Sequence, residues 1–458
     1  MSNRTRSFKR QRIEPLALQP DGNDKGRSVT HLAQHVYNLV VWCAQPLLRR
    51  KLARRAVAEP LYAEAVAERF GHYTHAAETR AELVWVHAVS LGETRAAQVL
   101  IEALRQALPG MRLLLTHGTA TGRAEGVRLL QAGDVQVWQP WDTPAAVQRF
   151  LRHFKPRVGV LIETEVWPNG VLQCQTLAIP LVLANARMSE RSTRKALRWP
   201  ALSRPVYQAL RAVWAQTQAD AQRLERLGAI NPEVLGNLKF DAQPDAAQCA
   251  QGQAWRAAHP GPVAMLASSR EGEEEAWLQA VQAQMPWPQS SIQWLIVPRH
   301  PQRVDAVEAL LKSQGWHVSR RSQWGEPGPQ TAEAKTSPTV WLGDSLGEMA
   351  LYYSLADVAL LGGSFAPLGG QNLIEAAACA CPVIMGPHTF NFAQASELAV
   401  QAGAALRVTD MTQAVAQADE WLRDTEQLRV RAAQARLFAQ AHQGAAQRTA
   451  QAVARLLQ

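Results

Sequence analysis

Short, largely apolar runs recur along this chain, each followed by a polar or glycine-rich turn and then by helix formers. Leu83–Ala88, Met111–Thr116, Val135–Trp138, Val158–Ile162, Pro180–Ala184 and Ala212–Ala215 make a first set. Val263–Ala267, Ile292–Val297, Val340–Leu342, Val358–Leu361 and Pro382–Met385 make a second. A strand with one wet face alternates apolar and polar residues. These runs do not alternate, so both of their faces must be covered. Covered strands separated by helices predict an α/β fold with parallel sheets. In 458 residues, the two sets predict two doubly wound, Rossmann-like domains divided near Asp241. Ligands are expected at the C-terminal ends of the strands and in the interdomain cleft. Met411 to Gln458 reads as helical, and Ser322–Pro338, rich in Gly, Pro and Thr, as a surface loop.

The densest ligand signal runs from Val358 to Ala377. A buried strand leads into Gly362, Gly363, Gly369 and Gly370, and helix formers begin at Asn372. Such a loop lets backbone approach a ligand, and unpaired N–H groups at the helix start suit a phosphate. Glu375, one turn in, is placed to accept from a ribose hydroxyl. Similar turns occur in α/β proteins that bind nothing there. Other strand ends carry carboxylates: Glu93 after the first strand, Glu163 and Glu165 after Ile162. A partly desolvated carboxylate there can act as a base, or it can simply cap the following helix. The loop with Arg187, Ser189 and Arg191 offers cations to an anionic substrate, or is a solvated loop with surface ion pairs. Lys239 lies at the domain junction, within reach of the cleft or as a plain linker residue. Arg299 ends a strand on the side of the glycine loop, as a phosphate contact or a structural ion-pair partner.

Charge is concentrated at one end. Residues 1–60 carry a net +8 of the chain's formal +9, so the remainder is close to neutral and lacks the basic face of a nucleic-acid enzyme. No nucleic-acid partner is expected. Residues 1–27 read as a disordered basic extension, and 28–58 as a helix followed by a basic cluster of Arg49, Arg50, Lys51, Arg54 and Arg55. Leu32, Val36, Val40, Cys43 and Leu47 share one helical face, with Tyr37 and Trp42 as interfacial anchors. Gln34, His35, Asn38, Gln45 and Pro46 speak against a spanning helix. The two readings are a helix lying on an anionic membrane surface and a helix packed on the protein's own core. No cleavable secretory leader is expected, because the apolar run starts late. Five scattered cysteines suit a reducing compartment, and none has zinc-ligand spacing, so no metal is expected.

Seven stretches in order resemble one family: Trp-Val-His-Ala-Val-Ser-Leu-Gly-Glu (85–93), Glu-Thr-Glu-Val-Trp-Pro-Asn (163–169), Asn-Ala-Arg-Met-Ser-Glu-Arg-Ser (185–192), Gly-Asn-Leu-Lys-Phe-Asp (236–241), Pro-Arg-His-Pro (298–301), Gly-Asp-Ser-Leu-Gly-Glu (343–348) and Gly-Pro-His-Thr-Phe-Asn-Phe (386–392). They look like the Kdo (3-deoxy-D-manno-octulosonic acid) transferases of lipopolysaccharide synthesis, from about Leu39 to the C-terminus. The resemblance implies a GT-B glycosyltransferase fold with an acceptor-binding domain over 59–241 and a CMP-sugar-binding domain over 242–458. It implies metal-independent, inverting transfer of Kdo from CMP-Kdo to a tetraacylated lipid A precursor, at the cytoplasmic side of the inner membrane. By position, Glu93 matches the catalytic base, and Glu163 and Lys239 match transition-state stabilisers. Pro298, Arg299, Leu346, Gly347, Glu348, Asn372, Leu373, Ile374 and Glu375 match CMP contacts.

The chain departs from the family pattern beside the donor. Leu368 and Gln371 stand where many members have an arginine and a histidine, and Arg270 stands where a histidine is common. Gln371 can still hydrogen-bond, and Arg270 restores a cation. A GT-B enzyme using another sugar nucleotide and a non-catalytic lipid- or nucleotide-binding paralogue are the alternatives.

Overall fold

The computed structural model describes residues 24–80, 82–284, 291–329 and 338–458. Its first sheet comprises β1 (Leu83–His87), β2 (Arg112–His117), β3 (Val135–Trp138), β4 (Val158–Ile162), β5 (Leu181–Ala186), β6 (Ala212–Ala215) and β7 (Glu233–Val234). The strands are parallel and ordered β3-β2-β1-β4-β5-β6-β7. The second comprises β8 (Val263–Ser269), β9 (Gln293–Pro298), β10 (His317–Arg320), β11 (Thr339–Leu342), β12 (Val358–Leu361), β13 (Val383–Met385) and β14 (Ala405–Arg407). It is also parallel, in the order β10-β11-β9-β8-β12-β13-β14. Each sheet has an apolar layer on both faces, as the unalternating runs require.

Every predicted strand is present. β7, β10 and β14 carry no such apolar run, and all three are outermost strands of their sheets. An edge strand has less apolar surface to bury: Val318 is the one buried residue of β10, and both residues of β7 are exposed. Part of the stretch read as a surface loop is packed instead. Trp324 stands edge-on against the rings of Trp255 and Trp341, while 330–337 lie outside the described residues.

The C-terminal tail divides between the domains. Helices Met411–Arg423 and Thr425–Ala441 cover the second sheet, but Ala445–Leu456 crosses back to the first. Its Ala445, Ala446, Ala450, Ala452 and Val453 join the layer built on Val84, Val86, Leu100 and Leu104. The small side chains let this helix lie close on Leu91–Ala107. Both crossings are tied together at one point, where the Asp241 carboxylate accepts the Gly444 and Ala446 N–H groups at the start of the last helix. Phe240 packs beside them against Phe438 and His442.

Among the described residues one α-helix, Asp24–Ala58, precedes the first sheet, followed by the short 3-10 turns Pro60–Ala63 and Val66–Phe70. Residues 24–27, expected in the disordered extension, are part of it, and residues 1–23 lie outside the described ones. One face, with Ala33, Tyr37, Val41, Ala44, Leu48, Leu52 and Ala56, is half-buried against the N-terminal domain. There Leu52 and Ala56 meet Tyr62, Ala120 and Trp138, and Arg49 lies over the Phe70 ring. Val29, Leu32, Val36, Leu39, Val40 and Leu47 form the opposite stripe, flanked by Trp42, and are 50–67% exposed. The helix therefore packs on its own protein and turns its more apolar stripe outward. Among the described residues no helix is long and apolar enough to cross a membrane.

Candidate active site

In an open parallel sheet, the crevice for ligands forms where neighbouring strands lead their chains to opposite sides. In the first sheet that point lies between β1 and β4, in the second between β8 and β12. The candidate residues gather at the C-terminal ends of these two pairs.

At the first crevice, β1 runs into Ser90, which caps helix Leu91–Ala107. Glu93, in the first turn of this helix, accepts the Val89 N–H at 2.8 Å and the Ser90 hydroxyl at 3.1 Å. Capping is thus one of its roles, but it does not exhaust the residue's chemistry. Burial raises the Glu93 carboxyl from 4.5 to about 7; the Val89 N–H opposes the shift, and the charges of Glu165 and Glu163 add to it. A base with a pKa near neutrality is both available and able to hold a proton. Glu163 follows β4 in a left-handed backbone conformation, φ +62°, which turns its buried side chain into the crevice. Glu165 is also held above the usual carboxylate range, chiefly by burial.

Lys239 enters from the hinge. Its Nζ lies 3.2 Å from Glu163 Oε1 and 5.6 Å from the centre of the Phe392 ring in the other domain. Two asparagines set its backbone: Asn185 Oδ1 accepts the Leu238 N–H at 3.1 Å, and Asn237 Oδ1 accepts the Lys239 N–H at 3.0 Å. Arg187 follows β5 beside this group, its N–H donating to Glu163 O at 3.3 Å, and its side chain is exposed. Arg191 is exposed too. The Ser189 hydroxyl is occupied as the cap of Glu190–Ala196.

The second crevice gathers a different chemistry. Gly362 lets the loops after β8 and β12 touch, because a Cβ there would sit 2.4 Å from Ser268 O. Above this contact, a Cβ on Gly363 would lie 3.1 Å from Gln371 Nε2 and 3.7 Å from Arg270 Cγ. Arg299 Nε donates to Gln371 Oε1 at 3.2 Å. Gln371 therefore holds one arginine and lies close to another, Arg270, whose Nε is paired with Glu271 at 3.1 Å. Pro298 is buried at the end of β9, Leu346 is 75% exposed, and Gly347 adopts φ +81°. Glu348 accepts from Arg321 at 3.0 Å and from Ser345.

Part of the donor loop is already engaged. The Glu273 carboxylate accepts the N–H groups of Gly363 at 2.7 Å and Phe365 at 3.2 Å. Asn372, the cap of Leu373–Ala378, accepts the Ile374 N–H at 3.1 Å. Leu373 and Ile374 are buried in the core, so their side chains do not reach the crevice. Arg299, Arg270 and Gln371 are the polar side chains gathered around Gly363 at this crevice. Glu375 remains half-buried at the crevice; burial raises its carboxyl, and Arg95 of the other domain opposes that shift across the cleft.

Sequence reasoning missed Glu273, Asn185 and Asp142. Glu273 organises the donor loop, Asn185 the hinge, and Asp142 the turn after Glu165, where it accepts the Asn169 and Gly170 N–H groups. A Ser-Arg-Glu-Gly-Glu-Glu run after a strand was a visible signal for Glu273; no local pattern marks the other two. Among the described residues no cluster of three or more His, Cys, Asp or Glu side chains is arranged for a metal. An open concavity of about 820 Å³ lies at the opposite end of the first sheet, lined by Pro180, Arg211, Ile230 and Arg455, and contains none of the candidate residues.

A family model described as 3-deoxy-D-manno-octulosonic-acid transferase (kdotransferase) matches residues 64–242. The 3-deoxy-D-manno-octulosonic acid transferase of Bordetella pertussis is 44% identical over 93% of this chain and 99% of its own length. That of Haemophilus influenzae is 32% identical over 86% of this chain and 92% of its own. Among solved structures, Anabaena Alr3699/HepE in complex with UDP has a TM-score of 0.54 at 13% identity, covering 82% of this chain and 99% of that one. UDP-GlcNAc 2-epimerase from Neisseria meningitidis has a TM-score of 0.51 at 14% identity, with the same coverage. A sugar-nucleotide epimerase among these shows that the likeness speaks for the GT-B fold and not for a reaction. The fold is GT-B, and by its match to the curated relatives the chain belongs to the 3-deoxy-D-manno-octulosonic acid transferase family.

Proposed function

We propose that this protein is an inverting glycosyltransferase that moves Kdo from CMP-Kdo to a tetraacylated lipid A precursor at the cytoplasmic surface of the inner membrane. The observation that carries the reading is Glu93: a half-buried carboxylate with a pKa of about 7, acting beside Glu163 paired to Lys239. An acceptor hydroxyl gives its proton to Glu93 as its oxygen bonds to the anomeric carbon of Kdo. The bond from that carbon to the phosphate oxygen breaks, and CMP leaves with the electron pair. Attack opposite the leaving group inverts the centre. Glu163 offsets the positive charge that develops on the sugar, and Lys239, 3.2 Å away, orients that carboxylate. Arg299 and Arg270 meet the charge growing on the leaving phosphate, so the reading requires no metal or other cofactor.

The acceptor is a lipid, and the outward apolar stripe of Asp24–Ala58 suits that. It lies on the bilayer, with Arg50, Lys51 and Arg54 facing anionic headgroups. Arg187 and Arg191 are assigned to the acceptor's phosphates. A thermal-shift comparison tests the donor assignment: CMP should raise the melting temperature and UDP should not. Equal protection by both, or by neither, would move the protein to another donor or to a non-catalytic role.

A further inference from the structure

The half-buried face of helix Asp24–Ala58 makes one polar contact that reaches toward the chemistry. Tyr37 donates its hydroxyl to Asp142 Oδ2 at 2.7 Å. Asp142 is 7% exposed and has two further donors: Oδ2 accepts the Asn169 N–H at 3.0 Å and Oδ1 the Gly170 N–H at 2.8 Å. Asn169 returns a bond from Nδ2 to Asp142 O at 2.6 Å. These N–H groups open helix Pro168–Thr176, whose own N-cap residue, Trp167, makes no side-chain cap bond. Asp142 therefore caps that helix from another part of the chain. The residues just before it are Glu163, Glu165 and Trp167, and Trp167 Nε1 holds Glu165 at 2.9 Å. Asp142 and Glu165 line the same small cavity, with Trp85 and Phe150.

A buried carboxylate with three donors is stable where it stands, and losing one leaves part of its charge unsatisfied. Two of the donors are backbone N–H groups of the helix that Asp142 caps; the third is Tyr37, more than a hundred residues away on the helix whose other face is apolar and exposed. We propose that Tyr37 is a positioning residue: by completing the bonding of Asp142, the seated N-terminal helix holds the Glu163–Trp167 loop in its working geometry. The inference rests on the transfer reaction proposed above and adds a partner to it. A helix turned to the membrane on one side and to Asp142 on the other links seating on the lipid surface to the acceptor half of the site. Donor binding, in the other domain, is outside the linkage.

Tyr37→Phe tests this in the full-length protein, because it removes one oxygen and keeps the ring. Hydrogen exchange read by mass spectrometry should quicken about fivefold in the segment 163–171, as expected for loss of one hydrogen bond. Turnover with the lipid acceptor should fall about five- to tenfold, with the KM for CMP-Kdo and sedimentation with anionic vesicles unchanged. Asp142→Asn should give a similar fall, and the double variant no further fall. Unchanged exchange in 163–171 overturns the proposal, as does a loss of turnover that tracks weakened vesicle binding or a raised donor KM. If the unaltered protein transfers no Kdo, the function reading fails, and the exchange result still decides the coupling.

Discussion

Glu93→Gln separates the proton from the shape. The amide oxygen can still accept from Val89 N–H, and the amide nitrogen can donate to Ser90, so the helix start should survive. What disappears is the cost of ionising a desolvated carboxylate beside two others. The folded-state pKa of about 7 against 4.5 in the open chain corresponds to about 3 kcal/mol once both forms are ionised. The sign follows from proton counting. Between these values the native state binds more protons than the unfolded one, so stability falls as pH rises through the window and the loss is complete above pH 7. Glutamine has no such penalty. Its advantage over the native protein should widen by roughly 2–3 kcal/mol between about pH 5 and pH 8. At about 2–4 °C per kcal/mol for a domain of this size, the gap in melting temperature should grow by several degrees. Scanning calorimetry across that range reads it directly. Turnover of the same variant should fall about 10²–10⁴-fold. A melting-temperature gap that stays flat with pH, or turnover near that of the native protein, would refute the assignment of Glu93 as a desolvated base.

The other expectations concern its neighbours. Lys239→Ala should lower turnover about a hundredfold with little change in CMP affinity, since its contacts are Glu163 and the Phe392 ring; a changed CMP affinity with normal turnover would place the lysine in the donor site instead. Gln371→Ala should release Arg299 and raise the KM for the donor about five- to twentyfold, and Gln371→Glu, which still accepts from Arg299 but adds a negative charge, should raise it further. Leu39→Asp, on a position 61% exposed, should weaken binding to anionic vesicles about tenfold while leaving the melting temperature unchanged. Sedimentation equal to that of the native protein would dismiss the stripe as a membrane face.

The sheets were legible because doubly covered parallel strands are apolar without alternation, a pattern that needs only local sequence. Val358–Leu361 sits in the structure at the residues the sequence marks. Edge strands such as His317–Arg320 bury too little to leave that signature. At the site, Glu93, Glu163 and Arg299 stand at strand ends, where position alone nominates them. Their chemistry depends on distant partners. That Glu93 caps its helix with a carboxyl raised to about 7 follows from its burial and from Glu165 and Glu163, which its own segment does not contain. The occupation of Gly363 and Phe365 N–H by Glu273 joins residues ninety positions apart, and no local pattern signals that contact. The tail reads as helical in sequence, but the sheet its last helix joins is set by the alanines' fit against Leu91–Ala107 and by Asp241.

The central claim is transfer itself. Purified protein would be combined with freshly generated CMP-Kdo and a tetraacylated lipid A precursor, with Glu93→Gln in parallel, and the lipid product weighed by mass spectrometry. The account predicts a gain of one or more Kdo residues with the native protein and, over the same early time course, at most about a hundredth of that product with the variant. No gain from folded native protein with intact donor would contradict it, and comparable gain from both would leave the reaction standing and remove Glu93 as its base.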